Sequence, residues 1–310
     1  MKVFLAGATG ALGRPLVDRL LAAGHAVVGT TRDAARADAL RERGAEAVVL
    51  DAFDAGAVRA AVLAAEPEVV LHQLTAFPQD PQPSSMAAAV QLTNRLRRET
   101  VPPLLAAARE AGARRAIVQS IAFVTRPDGR PVHDEDAPLH VAAPGSGGNA
   151  EAVRDMEAAV AAQDGLEGVV LRYGFLYGPG TWYDKDGAMA ALFRKRRHPS
   201  IGDGQGRMSF VHVDDAADAT VRALDRGRPG VLNVTGDAVP ATWKEWTPEV
   251  ARLLGARKPL WIPAWLGRRV AGDAMVHYAT TLPGNANNRA CAALGWTPRP
   301  WADGFREVFA

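Results

Sequence analysis

The first half of the chain alternates short apolar runs with stretches whose apolar residues recur at helical spacing. Residues 3–6 (Val-Phe-Leu-Ala) form a run suited to a buried strand. A glycine-rich turn follows, and then Arg14-Pro15-Leu16-Val17-Asp18-Arg19-Leu20-Leu21 presents an apolar helical stripe, with Gly24 as its C-terminal stop. The alternation continues: runs at 26–30, 46–50, 68–71 and 116–119 each follow a helical stretch, and a further run lies at 169–171. Strands that alternate with helices predict an α/β fold, a doubly wound parallel sheet with helices on both faces. Ligands of such sheets bind beyond the carboxyl ends of the strands. Functional residues are therefore expected just after these runs.

Two regions depart from the alternation. Residues 126–150 are rich in Pro, Gly and Asp and carry no periodicity, as a functional or mobile loop would. From Trp182 onward the alternation weakens and aromatic residues accumulate: Trp182, Tyr183, Trp243, Trp246, Trp261, Trp265, Tyr278, Trp296 and Trp301. This predicts a dinucleotide-binding domain over 1–180, to which about 205–235 returns, and a smaller substrate lobe over most of 181–310. For most of the tryptophans, filling the core of that lobe is the plain expectation.

Composition narrows the class. With 310 residues and 48% hydrophobic content the chain can bury a large core. Its 36 Lys and Arg balance 34 Asp and Glu, which gives no support for nucleic acid or membrane as the main partner. A small-molecule substrate is expected instead. The single Cys291 cannot form an internal disulfide, which suits a reducing cytoplasm. Glycine interrupts the first apolar run at position 7, too early for a secretory signal, and no segment is long enough to span a bilayer. No metal site is expected.

The turn Gly7-Ala8-Thr9-Gly10-Ala11-Leu12-Gly13 lies between strand and helix, the context in which such glycines bind a dinucleotide. One glycine makes a tight turn, one lets backbone approach pyrophosphate, and one allows close helix–strand packing. The helix N-terminus then offers free N–H groups to phosphate. After the second run stand Thr31 and Arg32, where an NAD site usually carries an acid. A guanidinium with a neighbouring hydroxyl suits a 2′-phosphate, so NADP(H) is expected over NAD(H). Asp33, one residue later, keeps NAD(H) open, and Arg32 as a plain surface charge is the ordinary alternative.

The GxxGxxG spacing resembles the extended and atypical short-chain dehydrogenase/reductase superfamily, whose fold is of the Rossmann type. The likeness implies that Thr9, Ala11 and Leu12 line the pyrophosphate, that Asp51 bonds the adenine amino group beside Ala52, and that Leu74 and Thr75 line the cofactor. His72, in the same segment, is a candidate base, although a His there more often packs structurally. Residues 171–180 (LRYGFLYGPG) resemble the family segment that passes the nicotinamide, which brings Tyr173, Phe175 and Leu176 to the cofactor. Residues 210–216, 231–234, 293–298 and 304–305 resemble later family motifs, so the likeness covers essentially the whole chain. A homodimer is common in the superfamily and possible here.

The family's chemistry uses a Tyr and a Lys four residues apart on one helix, with a Ser or Thr after the preceding strand. Ser120 is the available hydroxyl; one alignment puts it on the usual place, another puts Ile121 there. Counting back from Glu157, which matches a family acid, places Val153 at the Lys position and Asn149 at the Tyr position. No Tyr anywhere in the chain is followed four residues later by Lys. Asn149 cannot exchange a proton near neutral pH. Candidate replacements are Tyr173, Tyr183, Lys185 and, on the 126–150 loop, His133, Asp134, Glu135 and His140. If Tyr173 is the acid, Tyr173→Phe should cut turnover more than tenfold. Asn149, Trp182, Tyr183 and Arg207 are expected at the substrate. Arg207 lies one residue off the family's anion clamp, which weakens the case for a nucleotide sugar. Residues 194–198 (Arg-Lys-Arg-Arg-His) suit either a phosphorylated substrate or a solvated helix end. The resulting expectation is an NADP(H)-dependent oxidoreductase of the atypical kind, acting on a small organic substrate with a non-standard proton donor. A dinucleotide-binding sensor or scaffold, and a non-redox isomerase, epimerase or cyclase, are the alternatives.

Overall fold

A computed structural model describes residues 1–78, 81, 83–141 and 148–310. Seven parallel strands form the central sheet: β1 (Lys2–Ala6), β2 (Ala26–Thr31), β3 (Glu46–Val49), β4 (Val69–His72), β5 (Arg115–Ile121), β6 (Glu167–Tyr173) and β7 (Gly230–Val234). Their order is β7-β6-β5-β4-β1-β2-β3. The order reverses between β1 and β4, and a doubly wound sheet opens its ligand crevice at that point. The expected runs match six of these strands to within two residues at each end. The inner strands are buried almost throughout and centre on short apolar runs, as strands covered on both faces are.

The helices of the first half are α1 (Gly13–Ala22), α2 (Ala34–Glu42), α3 (Ala55–Ala65), α4 (Pro83–Arg95), α5 (Val101–Glu110) and α6 (Asn149–Ala161). Asp33 caps α2 by accepting from the amides of Ala35 and Arg36, and Asp54 caps α3 through the amide of Ala57. Between α4 and α5 the helix widens into a π-turn at Leu96–Thr100. The cause is local: Pro102 and Pro103 bring no N–H for the carbonyls four residues back, and their rings press on the preceding turn.

The second half continues with α7 (Ala188–Arg194), α8 (Val213–Arg222), α9 (Trp243–Leu253), α10 (Ala264–Ala271), α11 (Asp273–Thr280), α12 (Asn288–Leu294) and α13 (Trp301–Phe309). Leu16, Leu20, Ala216, Ala219 and Leu294, from α1, α8 and α12, share one core with the sheet; Val62, Leu104, Leu105 and Met156, from α3, α5 and α6, share the other. A third core holds Tyr177, Tyr183, Phe193, Phe210, Trp243, Trp246 and Phe305. The chain enters this lobe after β6, returns for α8 and β7, leaves again, and comes back through Ala290, Leu294 and Trp296. Core filling describes Trp243, Trp246 and Trp296, whereas Trp261 and Trp265 stand exposed.

The stretch 126–150 is anchored where it is described. Val132–His133 pairs with Gly284–Asn285, and Thr125 bridges Leu139. The buried Glu135 carboxylate accepts from the Asn233 amide at 2.8 Å and faces Arg289 at 3.3 Å. Glu135 therefore holds the fold together rather than standing free in solvent, whereas Asp136, which also pairs with Arg289, is exposed. Residues 142–147 lie outside the described residues.

Three histidines set an expected acid response. Burial holds His72 at about 4, His198 at about 3 and His277 at about 4, against an ordinary value near 6.5. In the unfolded chain they bind protons near pH 6.5, and in the fold only below about 4. Stability is therefore full above pH 6.5 and falls as pH drops toward 4. His198 stacks on Phe193 at 4.4 Å and on Trp243 at 5.2 Å between ring centres. Urea unfolding between pH 7 and 4 should show a shallower loss of stability for His198→Phe than for the parent; parallel curves would sink the assignment.

Candidate functional site

The glycine turn is built for a phosphate-bearing ligand. Gly7 has φ +97°, and a side-chain carbon there would lie 2.7 Å from the Gln73 carbonyl oxygen. A side-chain carbon on Gly13 would overlap the Gly7 carbonyl. Gly10 differs: a carbon there would meet only the Gly7 oxygen, at 3.5 Å. No other atom of the described residues lies within 4 Å of that carbon. The N-terminus of α1 carries no side-chain cap, and among the described residues no group accepts from the amides of Ala11, Leu12 and Gly13. Free amides, a positive helix end and open space at Gly10 fit a pyrophosphate.

Beside the turn, a small cavity is lined by Ala6, Thr30, Leu50, Ala52, His72 and Leu74, among others. Asp51, between the lining residues Leu50 and Ala52 in sequence, stands exposed, one carboxylate oxygen accepting from the Phe53 amide at 3.0 Å. Thr31 is buried and accepts from the Asp33 amide at 3.2 Å, while Arg32 is exposed and pairs with no carboxylate among the described residues. Asp33 is occupied as the cap of α2 and faces Arg36. Thr9 is half-buried and Thr75 exposed.

At the other end of the crevice, Ser120 is fully buried and donates to Glu157 on α6 at 2.8 Å. Arg172 forks the same carboxylate at 2.8 and 2.6 Å, and its third contact is the Glu135 carbonyl at 3.1 Å. The Ser120 proton is thus held inside a buried ion pair. Tyr173 pairs in register with Ile121. Its phenol is 1% exposed, 2.6 Å from the Thr220 hydroxyl, and accepts from Gln73 Nε2 at 3.3 Å. Burial pushes its pKa well above that of an ordinary tyrosine. His133 is buried too, its Nε2 2.9 Å from Asp128. His72 lies 2.8 Å from the Thr100 hydroxyl, which itself donates to the Leu96 carbonyl, so His72 is the donor and stays neutral.

The described part of α6 carries neither Tyr nor Lys; Asn149 opens the helix and Val153 is fully buried. The Asn149 side-chain oxygen accepts from Arg97 at 3.3 Å. Phe123 stacks on Phe175 at 3.9 Å, with Tyr278 edge-on to both. These three half-buried rings make an aromatic wall beyond the ends of β5 and β6. Leu176 packs against the sheet core. Trp182 donates to the Pro78 carbonyl at 2.8 Å, and Tyr183 sits in the lobe core against Phe210 and Trp246. Arg207 donates to the Pro240 carbonyl at 2.7 Å, and Lys185 is exposed. Residues 194–197 are exposed at the end of α7, while His198 is enclosed. Arg97 and Phe123 were not anticipated, and Tyr278 was anticipated only as one of the aromatic residues of the lobe. Phe123 follows Ser120 closely enough to have been found; a charged residue in a helical repeat, as Arg97 is, gives no such signal.

With this geometry in place, comparison identifies the class. The model of the NAD dependent epimerase/dehydratase family matches residues 3–235, and the chain belongs to that family. A Streptomyces protein named 3-diazoavenalumate denitrifying reductase is 49% identical over 310 residues, covering 98% of this chain and 99% of its own. The UDP-glucose 4-epimerase of Thermotoga maritima, solved with UDP-glucose, superposes with TM-score 0.77 at 20% identity, covering 100% of this chain and 97% of that one. The human epimerase family protein SDR39U1 with NADPH gives TM-score 0.75 at 21% identity, covering 100% and 99%. The chain is thus an enzyme of the nicotinamide-dependent oxidoreductase and epimerase class. Among the described residues no helix is long and apolar enough to cross a membrane.

Proposed function

We propose that this chain is an NADP(H)-dependent reductase whose substrate is an aromatic diazo compound that loses its nitrogen as N2. The observation that carries the reading is that α6 holds neither Tyr nor Lys: Asn149 opens it and Val153 is buried, at the two positions where the family resemblance calls for the proton-transfer pair. A carbonyl reduction needs that proton. A diazonium carbon does not. Hydride forms the new C–H bond, the C–N bond breaks with its electron pair leaving on N2, and the balance is R–N2⁺ + NADPH → R–H + N2 + NADP⁺. The bound nicotinamide supplies the hydride. The protein's own part is to hold the aromatic ring, for which Phe123, Phe175 and Tyr278 form a wall, and to keep water out. The printed name of the Streptomyces relative, at 49% identity, supports this substrate class.

In this reading Ser120, Tyr173 and His133 are positioning residues with occupied hydrogen bonds. Tyr173→Phe should accordingly retain turnover within about threefold; a loss beyond tenfold would return it to the mechanism. The preference for NADP(H) rests on Thr31 and Arg32, with Asp33 tied to α2. Arg32→Ala should weaken NADPH by roughly tenfold to a hundredfold, the range for a charge-assisted contact, and leave NADH unchanged. Nicotinamide fluorescence titration measures both, and equal effects on the two cofactors would remove Arg32 from the phosphate site.

The deciding experiment supplies an arenediazonium salt and NADPH deuterated at C4. Oxidation of NADPH with N2 release and deuterium on the former diazo carbon is the expected result. Reduction of ketones or aldehydes in preference to the diazonium would overturn the substrate class. Product without change in nicotinamide absorbance would favour the isomerase alternative.

A further inference from the structure

One buried charged group beside Asn149 forms no ion pair among the described residues. Arg97 lies in the π-turn between α4 and α5 and is 4% exposed. Its Nη1 donates to Asn94 Oδ1 at 3.0 Å and to Asn149 Oδ1 at 3.3 Å, both neutral acceptors. Its Nε and Nη2 have no acceptor among the described residues. The carboxylate whose charge reaches it is Glu157, which Arg172 forks and Ser120 also donates to. Among the described residues, Arg97, Arg172 and Glu157 therefore leave one positive charge without a counter-charge of its own in a nearly dry place, and burial lowers the Arg97 guanidinium to about 10. A buried cation without a partner is costly, and such groups are paired in folded proteins. His72, which also faces Arg97, is neutral and adds no negative charge. Asn149, fixed by its oxygen on Arg97, has its own Nδ2 without an acceptor among the described residues.

We infer that Arg97 and Asn149 form the anchor for an anionic oxygen of the substrate, a carboxylate or a phenolate, at the hydride-transfer end of the crevice. The inference rests on the reductase reading for the word substrate, and on the structure alone for the anion. A planar fork with two free donor positions suits an oxygen pair or a phenolate better than a hydroxyl. The π-turn presents Arg97 at the level of Asn149, where the family's helix pair is missing. On a phenolate ring, these donors would draw charge away from the diazo carbon and favour hydride arrival. On a carboxylate, they would set only the position of the ring.

The test measures binding rather than turnover, so it stands apart from the identity of the reaction. Calorimetry of the NADPH-loaded protein would compare cinnamate with cinnamamide for the carboxylate arm, and 4-nitrophenolate with nitrobenzene for the phenolate arm. NADPH affinity is measured beside them. The expected result is that one anion binds at least tenfold tighter than its neutral analogue, and that Arg97→Gln erases this preference while NADPH affinity stays within twofold. Arg97→Lys, which keeps the charge, is expected to keep part of the preference and guards against a fold defect in the glutamine variant. Equal binding of anion and neutral analogue by the parent overturns the inference, as does a preference that survives Arg97→Gln. A loss of NADPH affinity with the anion preference intact would assign Arg97 to the cofactor and overturn it too.

Discussion

Replacing Gly10 with Ala should abolish most cofactor binding and leave the fold intact, whereas the same change at Gly13 should unfold the turn itself. The two glycines differ by what surrounds the missing carbon. At Gly10 the added methyl meets only the Gly7 oxygen at 3.5 Å, ordinary contact, and otherwise enters the space before the free amides of α1. A phosphate can no longer reach those amides. Losing charge-assisted contacts of this kind costs roughly 2–3 kcal/mol, or about thirtyfold to over a hundredfold in affinity. At Gly13 the methyl would overlap the Gly7 carbonyl and the Ala8 backbone, neither of which can move without moving β1 or the turn. Overpacking against backbone costs about 3 kcal/mol or more, a large share of the stability of an ordinary domain. Thermal unfolding and fluorescence titration of both variants read the two effects separately. A destabilised Gly10→Ala, or a Gly13→Ala with native melting, would show that the turn is held in another way.

The second large effect is expected at the buried pair under Ser120. The Arg172 side chain is 5% exposed and that of Glu157 11%, and the guanidinium is forked at 2.8 and 2.6 Å. Glu157→Gln leaves Arg172 buried without a counter-charge and should cost about 3–5 kcal/mol. It would also add a second uncompensated cation to the charge already carried by Arg97. Arg172→Met alone strands the carboxylate and should cost a similar amount. The double variant Glu157→Met, Arg172→Met should recover much of the loss, because no charge then remains to be desolvated. Additive losses in denaturant unfolding would mean that the pair is not coupled.

The sheet was legible because parallel strands covered on both faces are written as short apolar runs, and the runs at 3–6 and 26–30 each fall within one residue of their strands. The glycine turn was legible because each glycine has a mechanical reason that spacing alone displays. The crevice's far end was not. Arg97, Glu135 and Arg172 look like solvated charges in a one-dimensional text, yet each is buried by partners 50 or more residues away, or by a residue of the preceding helix: Asn149 for Arg97, Asn233 for Glu135, Glu157 for Arg172. Periodicity does not encode such pairings. The long loop was likewise invisible as structure, since the short strand Val132–His133 exists only by pairing with Gly284–Asn285. Tyr173, the most attractive proton donor on paper, turns to the opposite face of the sheet from Ser120, as the alternation along a strand requires, and ends against Thr220.

The repeated crossing of the chain between sheet and lobe bears on how such an enzyme can change its substrate. Because the lobe is threaded between β6 and β7 and again between β7 and α12, it is not a cassette with two joints. A graft would need matched seams at four or more places, and the last of them, Trp296, closes the sheet core itself. New specificity on this scaffold is therefore more accessible through side-chain replacement within one lobe than through exchange of lobes between relatives.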